Sequence, residues 1–178
     1  DVGLLATPLK LQRVLEYPLF YEPFFVLCRE DHELSDQKKL KHSDLKFHDI
    51  WLLEEGHCFR NQVLDLCSIR KDKLQKNKYQ FESGNLETLK NLVISFGGYT
   101  LLPQLAAETI NKLESKFDND HGSESFSRQM KKVRLIPFER PIPAREIGLV
   151  YVREHYKNDL IEALASAVLE SIPPEVRK

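Results

Sequence analysis

Ile50-Trp51-Leu52-Leu53-Glu54-Glu55-Gly56-His57-Cys58-Phe59-Arg60-Asn61-Gln62-Val63-Leu64-Asp65-Leu66-Cys67 changes its apolar period partway along. The four apolar residues Ile50 to Leu53 read as a buried strand. After Gly56, Phe59, Val63, Leu66 and Cys67 recur at i, i+4, i+7 and i+8, which is one face of a helix. A strand feeding a helix is the unit of an α/β fold. The same stretch holds two cysteines, with Cys58 at the expected helix start and Cys67 on its inward face. Nine helical steps separate their Cα atoms by roughly 13 Å and turn them to opposite sides. A disulfide needs its Cα atoms within about 7 Å. If the two ever join, the segment must unwind.

The pattern continues on both sides of this stretch. Downstream, Arg70 to Lys78 is a Lys- and Gln-rich connection, and Tyr79-Gln80-Phe81 is a short strand. Asn85 is an N-cap for a helix carrying Leu86, Leu89, Leu92, Val93 and Phe96, with Glu87 near its positive end. Gly97-Gly98 stops that helix and is no phosphate loop, because it follows a helix and precedes a strand. Tyr99 to Leu102 is the next strand, and Pro103 suits the first turn of a helix through Leu105, Ile110 and Leu113. Ser115 to Gln129 has little apolar content and reads as a mobile insertion. Val133 to Phe138 and Ile147 to Val152 are strands. A last helix with Leu160, Ile161, Leu164, Val168 and Ile172 on one face ends before Pro173-Pro174.

Upstream, Val2 to Ala6 and Phe24 to Cys28 are apolar strands. Between Arg29 and Lys46 the chain is charged, with Leu34, Leu40 and Leu45 as anchors for loops and short helical turns. Alternating strands and helices predict an α/β protein with mainly parallel sheets.

Of the 178 residues, 42% are apolar, enough for one or two real cores. The 26 Lys and Arg against 27 Asp and Glu give a net charge of -1, so the chain has no global attraction for nucleic acid or an anionic membrane. A charged fraction of 30% and the lack of a long apolar run predict a soluble, non-exported protein that makes no membrane contact. Three cysteines fit a reducing compartment better than a disulfide scaffold. The start on Asp1-Val2-Gly3 without Met leads us to expect a piece of a longer chain.

A thiol reacts as its thiolate. Three features lower the pKa of Cys58: the first helical turn, Arg60 two residues on, and the adjacent His57. Peroxide can convert such a thiolate to a sulfenic acid, with which Cys67 can condense. Leaving the apolar face would cost Cys67 some ~2 to 4 kcal/mol. The competing reading is two buried or indifferent thiols, and spacing alone does not separate the two. No metal site is expected, because His32, His42, His48, His57, His121 and His155 form no ligand pair with these cysteines. Cys28 packs in a core strand. Lys38-Lys39-Leu40-Lys41, alternating with Asp36 and Asp44, is a solvated face.

Three blocks together resemble the peroxide-sensing LysR-type transcription regulators. They are Leu52 to Gln62 with Cys67 following, Asn85 to Val93 with Gly97 to Ala106, and Ile147 to Tyr151. The resemblance implies a periplasmic-binding-protein-like (type II) regulatory domain, with two α/β subdomains joined by crossing strands and the first subdomain incomplete. Residues 1–22 would end subdomain I, 23–145 would form subdomain II with the redox cysteines, and 146–178 would return to subdomain I. It further implies that Cys58 is the peroxidatic thiol and Cys67 the resolving one, with His57, Arg60, Asn61 and Gln62 in the peroxide pocket or its hydrogen-bond network.

On that resemblance the chain is no enzyme and needs no cofactor or metal. It belongs to a bacterial cytoplasmic activator that senses hydrogen peroxide and controls antioxidant genes. Its expected partners are hydrogen peroxide, a second regulatory domain in a homodimer or a tetramer, DNA through a helix-turn-helix domain outside this chain, RNA polymerase, and a thioredoxin- or glutaredoxin-type reductant. Asn61 stands where the family commonly has an acidic residue, and Ser115 to Gln129 is longer than the corresponding connection. The alternatives are a LysR-type domain that binds a small organic effector and a thiol peroxidase that turns over.

Overall fold

Strand-forming and helix-forming segments alternate along the chain, and their punctuation is visible in the backbone. A computed structural model describes residues 1–9, 11–46, 49–54, 58–66, 82–109, 133–152 and 158–176. In chain order the elements are β1 (Val2–Thr7), β2 (Val14–Arg29), 3-10 turns at Glu33–Asp36 and His42–Asp44, β3 (Leu52–Leu53), α1 (Cys58–Leu66), β4 (Glu82–Ser83), α2 (Leu86–Phe96), β5 (Tyr99–Pro103), β6 (Val133–Pro137), β7 (Ala144–Val152) and α3 (Asn158–Ser171), followed by a 3-10 turn at Pro174–Val176. A helical stretch over 104–109 follows β5. The expected strand at 79–81, the helix beyond 109 through Ile110 and Leu113, the connection at 70–78 and the insertion at 115–129 lie outside the described residues.

The chain divides into two units: Asp1–Pro23 with Ala144–Lys178, and Phe24–Pro143. In the first, β7 lies between β1 and residues 14–23 of β2, antiparallel to both. Leu149 faces Leu4 on one side and Tyr17 on the other. The register shifts between Pro18 and Phe20, where Pro18 has no N–H to give to the ladder. Gly148 lies so close to β2 that a Cβ there would sit 2.8 Å from the Tyr17 carbonyl oxygen. Leu149 of the sheet and Ile161 and Ala165 of α3 form this unit's buried cluster, bordered by Val2, Leu19 and Tyr151. The buried face of α3 therefore runs through Ile161 and Ala165, with Ile172 buried just past its end, whereas Leu160 and Leu164, expected inside, are 61% and 41% exposed.

In the second unit, residues 24–29 of β2 lie between β5 and β6. Val26 pairs with Leu101 on one side and Ile136 on the other, both antiparallel. Single parallel bridges extend the pairing, Ile50 to Tyr99 and Leu40 to Phe138. The apolar run expected to be a core strand is fully buried at Val26, Leu27 and Cys28. Leu34, Leu40 and Leu45 are the buried anchors of the charged segment between.

α2 starts at the N-cap Asn85, whose Oδ1 accepts from the Thr88 N–H at 2.8 Å, and ends at Gly97 with φ 77°. That backbone suits glycine because it has no Cβ to clash. Leu89 and Val93 are buried, while Phe96 is 67% exposed, its ring tilted against that of Trp51 with centroids 6.3 Å apart.

Two expectations are corrected. Among the described residues the sheets are not mainly parallel: every long ladder is antiparallel, and only the short β3–β4 pair and the single bridges run parallel. Strand–helix alternation predicts parallel pairing only when neighbours in sequence pair, and here β2 pairs with β5, β6 and β7, distant in the chain. Second, β2 begins ten residues earlier than the apolar run at Phe24, at Val14. Its first half is broken by Glu16, Glu22 and two prolines, Pro18 and Pro23, which hides it from a search for apolar runs.

Candidate functional site

The segment between β3 and the end of α1 is set against the core by three contacts. Leu52 and Leu53 are buried and pair in parallel with residues 82 and 83. Phe59 packs edge-on against Phe24 of β2, ring centroids 5.5 Å apart, and Val63 and Leu64 are buried on the same side of α1. Arg60 is the third anchor. It is only 5% exposed, and its Nη1 donates to the Leu53 carbonyl oxygen at 2.6 Å. A charged donor on a buried carbonyl is among the stronger hydrogen bonds in a fold. It ties the first turn of the helix to the end of the strand before it.

Cys58 is the first residue of α1, at the positive end of the helix backbone. Asn61 is exposed. Gln62, four residues after Cys58 and so on its side of the helix, is half-buried, with Oε1 fully buried and without a hydrogen-bond partner among the described residues. A buried carbonyl oxygen without a donor is uncommon in a fold and marks a place where a hydroxyl or N–H can be received. Of the expected site residues, Cys58, Arg60, Asn61 and Gln62 are thus gathered on the opening turns of α1. His57 and Cys67 lie outside the described residues.

Cys28 belongs to no such site. It is fully buried in β2, and burial pushes its thiol up to about 12.

Buried polar groups outside this segment escaped the sequence reading. Glu22 is 1% exposed, and its Oε2 accepts from Arg145 Nε at 2.8 Å and lies 2.7 Å from the same side chain's Nη2. Glu146, next in β7, accepts from the Thr7 hydroxyl at 2.7 Å and the Tyr21 hydroxyl at 2.6 Å. These two bonds hold its carboxyl below the ordinary carboxylate range, and the bond with Glu146 raises the Tyr21 phenol above its own. The available signal is the β-branched and aromatic content of Val14, Tyr17, Phe20 and Tyr21, which favours a strand and would place Tyr21 and Glu22 in it. His32 is half-buried beside Tyr99. Its Nδ1 accepts from the Leu34 N–H at 3.2 Å and its Nε2 lies 3.4 Å from Asp49 Oδ2. Among the described residues no group of three or more His, Cys, Asp or Glu is placed to hold a metal ion, and no helix is long and apolar enough to cross a membrane.

An antiparallel strand system divided between two units, with a buried-core helix opening on a cysteine, is the setting in which the family can be named. The chain belongs to the LysR substrate-binding domain family, which matches residues 1–114. Within that family it groups with the OxyR regulatory domains. The reduced form of the OxyR regulatory domain from Pseudomonas aeruginosa superposes with a TM-score of 0.67 at 30% identity, over 94% of this chain and 71% of that one. The hydrogen peroxide-inducible genes activator of Haemophilus influenzae is 31% identical over 172 residues, 97% of this chain and 50% of that protein. The DNA-binding transcriptional dual regulator OxyR of Escherichia coli K12 is 30% identical over 168 residues, 94% of this chain and 48% of that protein. The chain spans about half the length of the curated relatives it matches.

Proposed function

We propose that the chain is the redox-sensing part of a LysR-type transcription regulator that responds to hydrogen peroxide. The Cys58 thiolate attacks one peroxide oxygen, the O–O bond breaks, and hydroxide leaves, giving a sulfenic acid. The Cys67 thiol then attacks the Cys58 sulfur, and water leaves as the disulfide forms. His57, Arg60, Asn61 and Gln62 make up the surrounding network. Gln62 Oε1, buried and without a donor, is suited to receive the O–H of the peroxide or of the sulfenic acid.

The observation that carries this reading is the extent of α1. The helix is continuous from Cys58 to Leu66, so those two Cα atoms are roughly 12 Å apart. One further peptide step spans ~3.8 Å. No residue one peptide beyond Leu66 can therefore bring its Cα within about 7 Å of that of Cys58 while α1 stays wound. Oxidation must unwind the helix, which makes the disulfide a change of shape as well as of redox state. The names of the relatives, hydrogen peroxide-inducible genes activators, support the same assignment.

In the full-length regulator the unwound segment alters how two regulatory domains pair in a homodimer or tetramer. That alters how helix-turn-helix domains elsewhere in the protein meet DNA and RNA polymerase at antioxidant genes. In this reading residues 1–22 end subdomain I, 23–145 form subdomain II with the redox cysteines, and 146–178 return to subdomain I, a reading supported by the division of the chain into two units. The setting is the bacterial cytoplasm, a thioredoxin- or glutaredoxin-type reductant resets the switch, and the chain performs no turnover of its own.

The test is peptide mapping without reduction after one equivalent of hydrogen peroxide is added to the reduced protein. A rapid Cys58–Cys67 crosslink is expected. Two free thiols, or a Cys58 oxidised without Cys67, would refute the mechanism. The family's substrate-binding character favours one other reading, a small organic effector with structural thiols. In that case Cys58→Ser leaves the ligand response intact, whereas in a peroxide sensor it abolishes the response. Steady consumption of peroxide with excess thioredoxin would instead indicate a peroxidase.

A further inference from the structure

The second unit carries a basic cleft remote in sequence from the cysteine segment. Two stretches of chain are clamped side by side where the Leu40 N–H donates to the Pro137 carbonyl at 3.0 Å and the Glu139 N–H to the Leu40 carbonyl at 2.8 Å. Leu40 and Phe138, 0% and 2% exposed, fix this clamp in the core. The residues that emerge from it, Lys41, His42 and Ser43 on one side and Glu139, Arg140 and Pro141 on the other, wall a cavity of about 310 Å³. The His42 ring stands edge-on to Phe138 at 5.7 Å, so the imidazole is braced against the same core residue.

The charges in this cleft are left unmatched. Arg29, Lys46, Lys90 and Arg145 each have a carboxylate partner, Asp31, Glu33, Glu87 and Glu22. Lys41 and Arg140 form no ion pair among the described residues. The walls therefore present two cations, an imidazole and a hydroxyl against the carboxylate of Glu139, while the Asp44 carboxylate beside them is held on the Lys41 N–H at 2.7 Å. A concave wall concentrates that field, and a guanidinium fork matches the paired oxygens of a carboxylate or phosphate. A cavity of this size is at the small end of ligand sites.

We propose that this cleft binds a compact oxyanion, a carboxylate or a phosphate monoester. Its charged oxygens lie between Lys41 and Arg140, with Ser43 and His42 as further donors, and a hydroxyl or amine of the same molecule donates to Glu139. The site is independent of the cysteines, so its failure would leave the redox reading standing.

The experiment is an NMR titration of the reduced chain at low ionic strength with inorganic phosphate, glycerol phosphate and succinate in parallel. Amide shifts of residues 41–43, 139 and 140 are expected to saturate together. Arg140→Gln is expected to weaken binding at least tenfold, and Lys39→Gln, the same charge change outside the cavity, by less than twofold. All of these side chains are on the surface, so the variants keep the fold. Saturation by the phosphates alone would assign a phosphate monoester, and saturation by succinate alone a carboxylate. Shifts that rise linearly without saturating, or equal losses in Arg140→Gln and Lys39→Gln, would overturn the proposal.

Discussion

Replacing Arg60 by leucine tests whether the helix is held in its reduced form by the tie to β3. The bond from Arg60 Nη1 to the Leu53 carbonyl, 2.6 Å long and buried, joins the first turn of α1 to the strand before it. A hydrogen bond from a charged donor contributes ~1.5–3 kcal/mol net. Leucine keeps much of the apolar stem, so about 2 kcal/mol of reduced-state stability is expected to be lost. If disulfide formation unwinds the opening of α1, the oxidised form has already lost this bond, and the variant's deficit falls on the reduced form alone. For a two-electron couple 1.4 kcal/mol corresponds to 30 mV, which makes the variant's reduction potential about 40 mV more negative and its disulfide harder to reduce. Equilibration in dithiothreitol buffers of defined potential, with alkylated thiols counted by mass spectrometry, gives the potential. Urea unfolding of the reduced proteins gives the stability. A stability loss of about 2 kcal/mol with a potential shift under ~10 mV would mean that the tie survives oxidation, and the unwinding argument would be wrong.

Cys28 is expected to resist iodoacetamide at pH 8 in the native reduced chain and to react fully in urea, because burial raises its thiol to about 12. The raised value also gives a sign: its contribution to stability is complete below about 9, the ordinary value, and is lost as pH rises towards about 12, so Cys28→Ala should flatten the alkaline fall in urea stability. At Glu146 the sign is opposite, since the Tyr21 and Thr7 hydroxyls lower its carboxyl. Stability is then present above the ordinary carboxylate value of 4.5 and lost as pH falls through the lowered one. Tyr21→Phe should move the Glu146 carboxyl upward in a carbon-13 titration and make urea stability less dependent on acid pH, and an unmoved carboxyl would count against the bond. Gly148→Ala should cost ~1–3 kcal/mol, since its Cβ would meet the fixed Tyr17 carbonyl at 2.8 Å. Gly84→Ala, whose Cβ meets only the mobile Glu54 carboxylate at 3.1 Å, should cost less than ~1 kcal/mol. Equal losses by urea unfolding would refute the steric account.

Local signals were legible and non-local ones were not. Asn85 and Gly97 mark the two ends of α2 because capping and positive φ are properties of single residues. Cys58 could be placed at a helix start because the apolar period changes just before it. The partner of a strand has no such local mark, so the antiparallel ladders of β2 with β5, β6 and β7 were missed and parallel sheets were expected instead. Leu160 and Leu164 share the apolar character of Ile161 and Ala165, and composition could not tell which pair meets the sheet. At the candidate site, the residue types were readable but the use of one was not. For Arg60 the sequence suggested a charge beside the thiol, and the added bond from its guanidinium to the Leu53 carbonyl had no local mark, because it depends on how β3 and α1 meet.

The central place of β2 bears on how the chain is made. Val26 pairs with Leu101 and Ile136, the latter more than a hundred residues further along, and Val2 pairs with Tyr151. During synthesis at ~10 residues per second, the run Phe24 to Cys28 leaves the ribosome about ten seconds before its second neighbour. Until β5 emerges five consecutive apolar residues have both hydrogen-bonding edges open, and one edge stays open until β6 follows, the condition under which nascent strands find wrong partners. Unit 1 waits longer still, because β1 cannot be covered until β7 has been translated. Protein yield in the cell should therefore depend on chaperones that shield early strands, and the amides of Val26 to Cys28, fully buried and flanked by a strand on both edges, should be the slowest to exchange once the fold is complete.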